Sequence, residues 1–109
     1  MPNEQLTRVF QALSDPTRRA VLERLTRGPA AVSELAQPFR MALPSFVQHL
    51  AMLEDCGLVS SKKQGRVRTY TIAPQPLKAA EHWLTAQRVN WERRLDSLDD
   101  FLQILKEQK

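Results

Sequence analysis

The stretch PSFVQHLAMLEDCGLV, residues 44–59, predicts one amphipathic helix with a sharp end. Its large apolar residues recur at the helical spacing i, i+4, i+7 and so share one face: Phe46, Leu50 and Leu53. Pro44 is tolerated in a first helical turn, and Gly57 favours the left-handed backbone that ends many helices. We therefore predict a helix over about residues 43–56 with one buried face.

Three shorter helices are predicted before this one. The first starts near Asn3 and carries apolar residues at helical spacing: Leu6, Val9, Phe10 and Leu13. Asp15 and Pro16 are typical of a helix start and predict a second helix from Pro16 to Arg27. The third is short, about Val32 to Gln37, because Pro38 limits it. A short helix, a tight turn and a longer amphipathic helix form a helix-turn-helix.

A β-hairpin is predicted directly after the helix-turn-helix. Residues 58–63 and 66–72 mix β-branched, aromatic and charged side chains around a turn that contains Gly65. A basic hairpin in this place is a wing, here over about residues 58–72. The predicted fold class is mainly α with a small β-hairpin, a winged helix-turn-helix.

A long helix is predicted at the end of the chain, over about residues 76–107. Its apolar residues form a line seven residues apart, with two more leucines beside it: Leu77, Leu84, Trp91, Leu98 and Leu105, then Leu95 and Leu102. A seven-residue repeat on a helix longer than the domain needs favours packing against a helix of a second copy. Core packing within one chain is the alternative.

Size and charge suit a single nucleic-acid-binding domain over residues 1–109. The net charge is +4, and the basic excess lies in residues 1–74, which carry 10 Lys/Arg against 6 Asp/Glu. One cysteine permits no intrachain disulfide, and no apolar run is long enough to cross a membrane. We expect a cytoplasmic protein without a cofactor.

The predicted DNA contacts fall into two groups. The helix over residues 43–56 is long enough to lie in a major groove, with its N-terminal half at the base edges. The candidates on it are Leu43, Ser45, Val47, Gln48 and His49. The wing has no acidic residue among its cations and would hold phosphates through Lys62, Lys63, Gln64, Arg66 and Arg68. Further candidates for the DNA backbone are Arg18, Arg19 and Arg40.

Each group has a structural alternative. Lys and Arg on a hairpin also protect a sheet edge from pairing with other chains. For the helix, the alternative is that Ser45 and Gln48 are ordinary exposed residues and that His49 is a half-buried packing residue.

Three stretches in this order resemble the ArsR-type winged-helix repressors: residues 12–22, 44–59 and 65–70. The resemblance implies a homodimer joined through the first and last helices, on a two-fold symmetric operator in double-stranded DNA. It also implies repression, often of the protein's own operon, with release when an effector binds. The expected interface residues are Leu6, Val9, Phe10, Leu84, Trp91, Leu95, Leu98, Leu102 and Leu105.

The sequence departs from this family in several places, and two of them affect the expected effector and the start of the DNA-binding helix. Metal-sensing members carry two cysteines where this chain has Ala31 and Ser33, so no metal site is expected, and the protein would respond to an unknown small molecule or to no effector at all. The Ser or Thr that family members usually carry before the recognition helix, here residues 43–56, is replaced by Ala42, which weakens that helix start by about 1 kcal/mol.

Two other functions stay open at this point. One is a metal- or redox-responsive sensor that uses Cys56 and the histidines, although a thiol beside Glu54 and Asp55 is not activated. The other is an adaptor that binds protein through a winged-helix scaffold. We expect no catalytic residues, because the sequence has no phosphate-binding glycine loop and no nucleophile beside a base.

Overall fold

The computed structural model describes residues 2–108, and their side chains from Glu4 onward. It is mostly helical with a small antiparallel sheet, as predicted. In chain order the elements are α1 (Pro2–Leu13), α2 (Pro16–Leu25), β1 (Ala30–Ala31), α3 (Val32–Ala36), α4 (Leu43–Asp55), β2 (Val59–Gln64), β3 (Val67–Ile72) and α5 (Gln75–Glu107).

The core forms where α1, α2 and α4 pack together and against the sheet. The predicted inner face of α4 is fully buried, since Phe46, Leu50 and Leu53 are all 0% exposed. Val9 on α1 belongs to the same core and is only 1% exposed. Its expected place in a dimer interface is therefore wrong, because its side chain is already enclosed within one chain.

The second helix begins as predicted and ends earlier. Asp15 caps α2, with its carboxylate accepting from the backbone N–H of Arg18 at 3.1 Å. The helix ends at Leu25 instead of Arg27, and Thr26 turns its hydroxyl onto the Glu23 carbonyl at 2.6 Å. A side chain that donates a hydrogen bond to a backbone carbonyl in this way competes with the backbone N–H that would continue the helix.

The sheet has three strands, in the order β1-β3-β2, and not the two of a simple hairpin. The additional strand is only two residues long and pairs Ala30 with Tyr70 and Ala31 with Thr69. Two alanines carry no strand signal of their own, so only the tertiary partner creates this strand. It fixes the middle of β3 to the segment between α2 and α3.

The last helix extends well beyond the rest of the molecule. Its 33 residues span about 50 Å at 1.5 Å per residue, and the whole chain measures 76 × 31 × 23 Å. Its first turns are anchored by buried Pro76 and Ala80 and by an edge-to-face contact of Trp83 with Phe10, at 5.7 Å. From Asn90 to Gln108 every described side chain is exposed. No helix within residues 2–108 combines the length and apolarity needed to span a membrane.

Candidate nucleic-acid interface

The exposed face of α4 carries the residues that the sequence assigned to base edges. Ser45, Val47 and Gln48 lie on the side opposite the buried face, and Leu43 flanks them with 56% of its surface exposed. An α-helix fits the major groove, where Gln can pair with adenine and an apolar side chain can meet a thymine methyl group. The structure therefore leaves this face accessible for base contact.

The start of α4 has no side-chain cap. Ala42 has the extended backbone of a capping residue, φ −62° and ψ 143°, and its carbonyl accepts from the backbone N–H groups of Ser45 and Phe46 at 3.1 Å. Its methyl group accepts no hydrogen bond, so the first amides of α4 lack the usual partner.

Replacing Ala42 with Ser should stabilise the fold by about 1 kcal/mol, because a serine hydroxyl there can accept from a first-turn amide. Urea unfolding would show a higher midpoint with an unchanged slope. Ala42→Val is the control, since it offers no side-chain acceptor and is as poor a capping residue as alanine. A midpoint for Ala42→Ser no higher than that of the wild type would contradict the capping argument.

The wing presents its cations on an exposed strand and in the turn that follows it. Lys62, Lys63 and Arg66 are exposed, as is Gln64 at the end of β2. Their charges favour nearby phosphates through counterion release, whatever the base sequence. The hairpin therefore has the chemistry of a phosphate-holding surface.

Arg68 differs from the other wing cations because it is bonded within the chain. Its guanidinium donates to the Ser61 hydroxyl at 2.8 Å, and that hydroxyl donates to the Glu54 carboxylate at 2.8 Å. The expectation of a wing without a nearby acid is thus wrong, because folding brings Glu54 from the end of α4 to the base of the hairpin. Burial and, next, the charge of Glu54 raise the pKa of neighbouring Tyr70. The hydrogen bonds from Arg68 to Ser61 and from Ser61 to Glu54 connect the wing to α4.

Arg18 does not lie where the sequence placed it. It is 8% exposed, and its guanidinium donates to the backbone carbonyls of Ala12 at 2.8 Å and Gln11 at 2.9 Å. The expected contact with the DNA backbone is therefore wrong. Arg19 and Arg40 are exposed, although Arg19 also donates to the Leu13 carbonyl at 2.7 Å.

His49 is half-buried at the border of the exposed face of α4. Its Nδ1 lies 3.0 Å from Nη1 of Arg18 and 3.7 Å from the Asp15 carboxylate. Desolvation would raise the pKa of Asp15, but the hydrogen bond from the Arg18 backbone N–H and the positive charge of the Arg18 guanidinium lower it. The pKa of this carboxyl therefore lies below its ordinary value.

Because folding lowers the pKa of Asp15, its charge stabilises the fold above the unfolded-state pKa of about 4, and this contribution is lost as the pH falls through the folded value. Asp15→Asn keeps a capping oxygen but not the charge. We expect the wild type to be the more stable at pH 7 and the difference to shrink below about pH 4. Thermal unfolding of both proteins between pH 7 and pH 3 measures this, and a difference independent of pH would contradict it.

The residues predicted for the dimer interface on α5 are all exposed. We call them the α5 apolar stripe, and between 45% and 70% of each is accessible: Leu84, Trp91, Leu95, Leu98, Leu102 and Leu105. Phe101 and Ile104, which the seven-residue line did not include, are 57% and 51% exposed. On α1, Leu6 and Phe10 are half-buried against the core.

The sulfur of Cys56 is enclosed. Its side chain is 3% exposed, and its S–H donates to the Leu53 carbonyl at 3.4 Å. Residues 2–108 contain no group of three or more His, Cys, Asp or Glu side chains placed to hold a metal ion.

The fold is that of a winged helix-turn-helix protein. It has an amphipathic helix with one exposed face, a short helix and turn before it, and a basic hairpin after it. Comparison with known families agrees, because residues 13–61 match a helix-turn-helix domain family. The Transcriptional repressor SdpR of Bacillus subtilis is 30% identical over 79 residues, which cover 72% of this chain and 88% of that protein.

Two solved structures share the fold. An ArsR family transcriptional regulator superposes with a TM-score of 0.80 at 61% identity, over 83% of this chain and 93% of that one. The homodimeric winged helix-turn-helix DNA-binding domain of a possible ArsR-family regulator from Mycobacterium bovis gives 0.61 at 30% identity, over 83% and 82%. The chain belongs to the ArsR family of winged helix-turn-helix transcriptional regulators.

Proposed function

We propose that this regulator is a homodimeric repressor that binds a two-fold symmetric operator in double-stranded DNA, in the cytoplasm. The observation that carries the proposal is the pairing of an exposed helix-turn-helix face with a basic wing on the same short stretch of chain. The hydrogen bond that the Ser61 hydroxyl donates to Glu54 links the two elements.

Within this proposal the two DNA-facing elements have different tasks. The exposed residues of α4 contact base edges and supply specificity: Leu43, Ser45, Val47 and Gln48. The wing, with Arg19 and Arg40, neutralises phosphates and supplies most of the salt-sensitive affinity. Arg68 contributes less than its neighbours on the wing, because Ser61 already accepts from its guanidinium.

The homodimer rests on the α5 apolar stripe. An apolar line of this length, exposed on a helix that extends beyond the core, is typical of a surface that another protein covers. A second copy fits because its own stripe has the same seven-residue spacing. The homodimeric state of the M. bovis domain supports the same assembly.

The test is fluorescence anisotropy of the purified protein on DNA from upstream of its own gene, at several salt concentrations. We expect a sequence-specific complex whose affinity falls steeply with salt. Scrambled DNA of the same length is the control. Equal binding to both DNAs would exclude a specific operator, and no binding to either would favour the protein-binding adaptor.

A further inference from the structure

The buried guanidinium of Arg18 joins three parts of the fold. Its Nε and Nη2 groups donate to the Ala12 and Gln11 carbonyls at the end of α1, at 2.8 and 2.9 Å. These two bonds fix the guanidinium plane and direct Nη1 toward α4, where it meets Nδ1 of His49 at 3.0 Å. A side chain that begins on α2 therefore holds the end of α1 and the middle of α4 together.

The contact with Arg18 determines which ring nitrogen of His49 carries the proton. Arginine stays protonated and has no acceptor, so Nδ1 of His49 must accept and cannot bear a hydrogen. A ring in this state is neutral and has its proton on Nε2. The Asp15 carboxylate lies 3.7 Å from Nδ1, too far for a hydrogen bond that would compete with Arg18.

The other nitrogen of the ring is not fully buried. Among residues 4–108 no buried side-chain nitrogen or oxygen lacks a hydrogen-bond partner, and His49 bonds to other described residues only through Nδ1. Its Nε2–H is therefore accessible. His49 follows Ser45 by one helical turn, which places this donor beside the face of α4 that would enter the groove.

We propose that Arg18 is a positioning residue, which holds His49 as the neutral Nε2–H tautomer so that this N–H donates to a DNA phosphate at the edge of the major groove. The inference rests on the proposed DNA-binding function. Arg18 thus affects DNA binding without touching DNA, and His49 contacts the phosphate as an uncharged donor.

Two amide substitutions at position 49 separate the two halves of this arrangement. In His49→Asn the side-chain oxygen takes the place of Nδ1 and keeps the Arg18 bond, but nothing reaches as far as Nε2. In His49→Gln the amide nitrogen reaches the place of Nε2, but no acceptor faces Arg18. Both variants are uncharged and polar, so each is the control for the other.

For His49→Asn we expect a melting temperature near that of the wild type and operator affinity reduced roughly 10- to 100-fold per subunit, the range for one hydrogen bond to a charged group. The salt dependence should not change, because a neutral donor releases no counterion. His49→Gln should lower the melting temperature, because it leaves a buried guanidinium N–H unpaired. Wild-type operator affinity in His49→Asn would overturn the phosphate contact.

Nitrogen-15 NMR of the wild type tests the tautomer without a substitution at the site. We expect the ring proton of His49 on Nε2 at pH 7, and a proton on Nδ1 would overturn the role of Arg18. A wing variant, Lys62→Ala, is the control that separates this inference from the proposed DNA-binding function. If Lys62→Ala lowers operator affinity while His49→Asn does not, this inference fails and the proposed function stands; if the wild type binds no operator, the proposed function itself fails.

Discussion

Leu98→Glu should convert the protein to a monomer and reduce operator affinity by about 100- to 10,000-fold, the range for the loss of a linked second binding module. Leu98 lies near the centre of the α5 apolar stripe and is 51% exposed in the single chain. In a symmetric dimer the substitution introduces two carboxylates into one apolar contact, and each would have to give up its water. Sedimentation velocity measures the mass, and anisotropy on the operator measures the affinity.

Ser97→Glu is the matched control for this prediction. It adds the same charge one residue earlier, on an exposed part of α5 about 100° around the helix from Leu98. We expect Ser97→Glu to remain dimeric and to bind the operator as the wild type does. A dimeric Leu98→Glu protein would place the dimer contact away from this stripe.

The triple variant Lys62→Ala, Lys63→Ala, Arg66→Ala should lose roughly 100-fold or more in affinity for operator and scrambled DNA alike, because phosphate contacts carry no sequence information. The slope of log affinity against log salt should become shallower by about 0.9 for each phosphate that the wing no longer neutralises. Anisotropy titrations from low to moderate salt give both quantities. The fold should be unaffected, since all three side chains are exposed.

Arg68→Ala is the comparison for the triple variant. Because Arg68 donates to Ser61, its removal should change the salt slope by less than any one of the three other cations does. Circular dichroism confirms that each variant is folded. If the triple variant kept the wild-type slope, the wing would be a protected sheet edge and not a phosphate-holding surface.

The sequence predicted those features that arise from local periodicity and helix ends. The buried face of α4 and the exposed line along α5 follow from spacings of three, four and seven residues, and Asp15 with Pro16 marks a helix start that the structure confirms. The hairpin was predicted because its turn and its β-branched residues are adjacent in the chain.

The features that the sequence did not predict depend on partners distant in the chain. The strand Ala30–Ala31 exists because β3 lies beside it, about 40 residues away. An arginine is usually exposed. Arg18 is buried only because the folded chain places the end of α1 and His49 against its guanidinium. Glu54 reaches the wing through Ser61, a contact with no signal in local composition.

The exposed second half of α5 makes the folded state depend on how much protein is present. A helix draws most of its stability from packing, yet from Asn90 to Gln108 no side chain is buried within the chain. By mass action, dilution should therefore unwind this segment, and the helical ellipticity per residue should fall as the protein is diluted. In a repressor of its own gene, this coupling would set a threshold amount of protein, below which the operator stays empty and synthesis resumes.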